Sequence, residues 1–181
     1  MKNREINTNI LQERIDSKFY LERYLYMANL RRFTFKAILC MDAIIKEKIS
    51  ADHLLYVSLK YTKTCDVIIN LLLRWKIMIE LAMDLLVERA KKAKKWKPVP
   101  DAPRAKQVQL KQIYLKDSTI YPVLELYELF RDIEKLDKVR EHEFRKGVNL
   151  KVFYRDKDVN INLDKLKEYS EILERFISYL K

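Results

Sequence analysis

The sequence predicts an all-α fold: a helical bundle of four to six helices, with a small β-hairpin before the C-terminal helix. Three observations carry this expectation. The 181-residue chain has a single glycine, Gly147, and sheets joined by tight turns normally need many more. Apolar residues make up 49% of the chain and recur mostly at spacings of three, four or seven, the helical period. Two short runs near the C-terminus instead alternate with a period of two, the strand signature. A chain of this length is expected to form one domain, 1–181, and can bury about 70% of its unfolded surface without a covalent staple.

Residues 1–15 read as a flexible start. From Asp16 to about Ile49 the positions of Leu21, Tyr24, Leu25, Ala28, Phe35, Ile38, Met41 and Ile45 predict a helix. Ser50 is a candidate N-cap for the next helical stretch, which runs from Ala51 to about Lys95. That length exceeds an ordinary helix, and a break is expected near Lys60 to Thr64, where weak helix formers cluster. Beyond the break, Asp66, Asn70, Glu80, Asp84 and Glu88 fall within about 80° of one another on a helical wheel. The rest of that circumference is mostly apolar, so the helix is central to a bundle or lies at an oligomer interface.

Residues 96–106 hold Pro98, Pro100 and Pro103 and form a stiff basic linker. A short helix is expected over Ala105 to Leu115. Asp117 or Ser118 then caps an amphipathic helix to about Val139, with Ile120, Val123, Tyr127 and Phe130 on one seam. After Gly147, Val148–Tyr154 and Val159–Leu163 flank the polar turn RDKD and predict a hairpin over 148–163. The final helix, Asp164 to Leu180, places Leu166, Tyr169, Leu173, Phe176 and Leu180 on one face.

Composition excludes several function classes. One glycine leaves no Gly-rich phosphate loop, which removes P-loop and Rossmann sites. Two histidines, His53 and His142, and two cysteines, Cys40 and Cys65, show no metal-ligand spacing, so neither a metal nor a cofactor is expected. Both cysteines read as buried thiols. The start of the chain has no apolar signal region, and Arg74, Lys76, Glu80 and Asp84 interrupt the most apolar window. Each such charge costs about 2.5–3.5 kcal/mol at the centre of a membrane helix. A cytoplasmic protein with no membrane association is the expectation. Abundant Lys and Glu with only four Gln fit a thermophile source, although an AT-rich genome gives similar codon bias.

The formal net charge is +11, and it is local. Residues 88–116 hold ten Lys/Arg against Glu88 and Asp101, a net of +8, which leaves +3 for the remaining chain. Arg89, Lys91, Lys92, Lys94, Lys95, Lys97, Arg104 and Lys106, with Trp96 among them as a stacking ring, are the candidate nucleic-acid-binding residues. A solvated lysine-rich face, or a surface for an acidic protein or lipid, remains as an alternative. The row Glu80, Asp84 and Glu88 can in principle serve acid–base chemistry or a hard cation, and as a solvated stripe it needs no function.

The segment Arg140-Glu141-His142-Glu143-Phe144-Arg145-Lys146-Gly147 is the densest in polar function. His142 can act as a proton shuttle, and Arg140 and Arg145 can clamp a phosphate. Together the three are the candidate catalytic residues of a metal-independent RNase. The alternative is a helix C-terminus where cations favour the dipole.

Long helices followed by an Arg/His-bearing segment over roughly residues 50–181 resemble the HEPN superfamily of small helical proteins. The resemblance implies an RNA-directed protein, often a toxin or defence component paired with an antitoxin, and commonly a homodimer. Members carry an Arg and a polar residue, with a His after four to six intervening residues. Here Arg140 and His142 are separated by one residue, and the positions five to seven before His142 are Lys135, Leu136 and Asp137. The resemblance therefore implies RNA binding by a catalytically degenerate member. Against it stands a non-catalytic structural protein, a helical homo-oligomer pairing through the apolar helix 66–88.

Overall fold

The computed structural model describes residues 38–181, of which Cys40–Lys181 form one structural unit. The expected flexible start at 1–15 and most of the helix expected over Asp16–Ile49 lie outside the described residues. Residues 40–53 are helical (α1) and continue through a π-helical turn, Leu54–Ser58, into a last turn, α2 (Leu59–Thr62). There follow α3 (Cys65–Lys92), α4 (Pro103–Ile113), α5 (Ile120–Asp132), β1 (Lys138–Glu141), β2 (Asn149–Tyr154), β3 (Lys157–Asn162) and α6 (Leu163–Leu180). The expected fold class is the observed one: a mostly helical protein with a small antiparallel sheet before the last helix.

The break between α2 and α3 falls where weak helix formers predict it. Lys63 turns into the left-handed region at φ 49°, and Thr64 is extended. Ser50, expected to cap a new helix, lies inside a continuous one. Its hydroxyl donates back to the Lys46 carbonyl at 3.1 Å, the bond an interior helical serine makes to the preceding turn. The proline linker is shorter than expected because Pro103 takes the first position of α4, where its missing N–H costs nothing.

α3 is the central helix. Thirteen of its 28 residues are buried, and it packs on the π turn, α4 and α5. Of the two settings open to this apolar helix, the interior of the bundle is the one observed. Trp75 of α3 stacks on Phe130 of α5 at 5.8 Å, and Phe130 meets the edge of Tyr169 on α6 at 5.5 Å. All five seam residues of α6 are buried, and Asn162 caps the helix by accepting from Lys165 N at 3.0 Å.

The hairpin pairs Tyr154 with Lys157 across a two-residue loop, Arg155-Asp156. Both loop residues have positive φ, 51° and 58°, as a type I′ turn requires. Leu150, Val152 and Ile161 are buried on the inner face. The sheet has a third strand where the sequence pattern extends a helix to Val139. α5 stops at Asp132, and β1 pairs antiparallel with β2, Arg140 opposite Leu150. A lone hairpin leaves both edges unpaired and is marginal in water, so the four residues Lys138–Glu141 cover one edge. Val139 is exposed there, so its apolar character carries no sign of the strand.

Candidate functional site

The basic segment begins at the C-terminal end of α3. Lys95 N donates to Ala90 O and Lys94 N to Lys91 O, each at 3.0 Å. This is a Schellman closure with Lys94 at φ 56° in the position glycine usually takes. The closure turns the chain sharply and leaves consecutive lysines pointing to solvent.

The ten basic residues of the segment divide into two groups. Arg89 donates to the Leu180 carbonyl, and Lys91 pairs with Glu88 at 3.0 Å. Lys106 sits between Asp101 at 2.6 Å and Asp84 at 2.7 Å, and these two bonds raise its pKa against the opposing effect of burial. Lys111 bridges Glu128 at 2.7 Å and Glu125 at 3.0 Å. These are structural ties. In contrast, Lys94, Lys95, Lys97, Arg104 and Lys116 are exposed and have no ion pair among the described residues. Lys92 is also exposed, and Trp96 is half-buried. Lys95 and Lys116, far apart in sequence, line one shallow cleft of about 380 Å³ with Ile113, Tyr114 and Asp117. Burial, and to a lesser degree Tyr179, raises the Tyr114 pKa, with Arg89 acting the other way.

The Arg140–Arg145 segment lies at the opposite end of α3. Asp66 to Arg89 spans roughly 35 Å at 1.5 Å per residue, so the two candidate regions do not form one site. Arg140 makes a bidentate ion pair with Asp66, 2.7 and 3.1 Å. Glu143 accepts from Cys65 N at 2.9 Å, so it caps α3 where the Thr64 side chain does not. Phe144 N donates to Lys63 O at 2.8 Å. The segment is therefore a clasp over the α2–α3 junction rather than a helix end. His142 and Arg145 are exposed on it, His142 at φ 53°.

The acidic row on α3 is individually paired. Glu80 accepts from the Tyr127 hydroxyl at 2.8 Å, Asp84 pairs with Lys106, and Glu88 pairs with Lys91. Among the described residues no group of three or more potential ligands could hold a metal ion, and no helix is long and apolar enough to cross a membrane.

A second cleft has no local sequence signal. Its volume is about 430 Å³, its floor is aliphatic, formed by Leu55, Leu59, Val148 and Leu163, and its rim carries Lys60, Lys63, Arg145, Lys146 and Lys167. Its cations come from three segments distant in sequence, at Lys60 and Lys63, at Arg145 and Lys146, and at Lys167. Only Arg145 and Lys146 belong to a cluster the sequence singles out.

Comparison with known proteins returns no match to this chain, whether among family models, curated proteins or solved structures.

Proposed function

We propose that this protein binds nucleic acid, RNA ahead of DNA, through the surface formed by the C-terminal end of α3 and the connections that flank α4. The observation that carries the reading is the separation of the cations. Arg89, Lys91, Lys106 and Lys111 are tied to acceptors of the fold, while Lys94, Lys95, Lys97, Arg104 and Lys116 stand exposed with no carboxylate paired to them among the described residues. Exposed cations, with Trp96 among them in sequence and Tyr114 in the cleft of Lys95 and Lys116, fit a single strand, whose phosphates bind charge and whose unpaired bases stack on rings.

The HEPN resemblance enters this proposal in its non-cleaving form. Asp66 occupies the Arg140 guanidinium, and Arg140, His142 and Arg145 lie far from the basic surface. That arrangement supports binding without cleavage over an RNase reading. A cytoplasmic toxin or defence component, from a thermophile and with an antitoxin partner, is part of the same proposal. A homodimer would need a surface other than the apolar face of α3, because Leu71, Leu72, Met78 and Ile79 are already buried within one chain.

Fluorescence anisotropy with labelled single-stranded and duplex RNA and DNA tests the reading. If all five unpaired cations meet phosphates of a single strand, log K falls with log salt at a slope of about −3 to −4. Reversal of Lys94, Lys95 and Lys97 to Glu should abolish binding. Absence of binding at low salt, or unchanged affinity in that variant, removes the assignment.

A further inference from the structure

The cleft at the N-terminal end of α3 is built differently from the basic surface at the other end. Its floor is aliphatic: Leu55 from the π turn, Leu59 from α2, Val148 from the approach to β2 and Leu163 from the start of α6. Its rim carries five cationic side chains, and its lining contains no Asp or Glu. None of Lys60, Lys63, Arg145, Lys146 and Lys167 makes an ion pair among the described residues. Five like charges gathered around an apolar cleft attract an anion.

The lining also contains no Ser, Thr, Asn or Gln. Apart from the Tyr56 hydroxyl, no neutral polar side chain is available to read the edge of a base or the hydroxyls of a sugar. Specific recognition of a nucleotide or glycan needs such groups. What the cavity offers is aliphatic contact at its base and positive charge at its mouth, complementary to a molecule with an apolar tail and an anionic head.

The backbone around the cleft is irregular. Leu55 and Tyr56 lie in the π turn, a distortion common at functional sites. Lys63 at φ 49° and Gly147 at φ 88° both line the cleft. A Cβ on Gly147 would meet nothing within 4 Å, so glycine is needed there for its φ and not for space. Conformations of this kind cost about 1–3 kcal/mol where a side chain is present and persist where the surrounding structure holds them. Here the clasp of Arg140, Glu143 and Phe144 onto Lys63–Asp66 holds the turn at Lys63.

We infer that this cleft binds a free single-chain anionic amphiphile of the fatty-acid class, its carboxylate among the rim cations and its chain on Leu55, Leu59, Val148 and Leu163. The site lies roughly 35 Å from the basic surface and is independent of nucleic-acid binding.

Calorimetric titration of the full chain with dodecanoate, below its micellar concentration, tests the inference, with dodecanol and inorganic phosphate as partial probes. Dodecanoate should bind with one-to-one stoichiometry, and dodecanol should bind at least about tenfold more weakly, the equivalent of one lost charged contact. Phosphate alone should not saturate the site. Leu163→Glu places a carboxylate in the aliphatic lining, where it opposes both the chain and the anionic head, and should abolish binding. Leu163 is 42% exposed and opens α6, where an acid suits the helix dipole, so the fold is retained. Arg145→Glu with Lys146→Glu, both at exposed positions, should weaken binding at least about tenfold. Reversal of Lys94, Lys95 and Lys97 should leave it unchanged. Equal affinity for dodecanoate and dodecanol, unchanged affinity in Leu163→Glu, or binding only to vesicles containing anionic phospholipid would each overturn the assignment.

Discussion

Glu143 holds the start of the central helix from 78 residues away. The first N–H groups of any helix lack intrahelical partners. In α3 the Thr64 side chain makes no cap bond, and the Glu143 carboxylate accepts from Cys65 N at 2.9 Å. Removing it with Glu143→Ala leaves that donor unsatisfied and takes a negative charge from the positive end of the dipole. Loss of a cap costs about 0.5–2 kcal/mol and loss of the charge about 0.3–1 kcal/mol, so about 2 kcal/mol is expected. For a chain of this size that lowers the melting temperature by about 4–8 °C. Glu143→Gln keeps an acceptor and loses only the charge, so its cost should be less than half as large. Asp66→Asn, which weakens the exposed pair with Arg140 and takes one charge from the first turn of α3, should shift the midpoint less than Glu143→Ala. Urea denaturation of the three variants at constant m-value measures the order. If Glu143→Ala is as stable as the parent, or if Asp66→Asn costs more than Glu143→Ala, the clasp does not cap α3.

Three further expectations rest on other parts of the unit. Lys94→Gly places the residue that prefers φ 56° at the Schellman position of α3 and should stabilise the fold by about 1 kcal/mol; a melting temperature that falls would contradict the left-handed cap. Cys65 is buried and donates to Asn149 O at 3.4 Å, and burial together with the charge of Glu143 pushes its pKa up to about 11. At pH 8 about one molecule in a thousand then carries the thiolate, so peptide mapping after iodoacetamide treatment should find Cys65 modified only once the protein unfolds. Burial alone would raise the pKa of Glu128, but the hydrogen bond from Lys111 and the charges of Lys111, Arg155 and Arg131 outweigh it, and the net shift is downward from 4.5. Stability from this group is full above pH 4.5 and is lost as pH falls through the lower folded value. Glu128→Gln should therefore flatten the acid limb of the urea midpoint, and an unchanged limb would show that the network does not act on folding.

Some elements were legible in the sequence because their signals are local. A single glycine and long apolar seams specify helices without reference to anything distant. The seam Leu166, Tyr169, Leu173, Phe176 and Leu180 is buried as its spacing requires. Weak helix formers at 60–64 mark the break that Lys63 makes, and period-2 alternation marks β2 and β3. Other features depended on neighbours far along the chain. Strand β1 exists because β2 has an edge to cover, and its exposed Val139 carries no periodic sign of that role. The charged residues were the least legible, because a Lys or Glu reads the same whether it faces solvent or a partner.

Composition and periodicity alone thus determined a helical fold with a C-terminal hairpin and a charge excess concentrated in residues 88–116. Tertiary structure decided which cations are tied into the fold, that Arg140 answers Asp66, and that Lys60, Arg145 and Lys167 share one apolar cleft. Burial patterns follow the helical and strand repeats and are written along the chain, whereas charge pairing and cavities depend on which surfaces packing brings together.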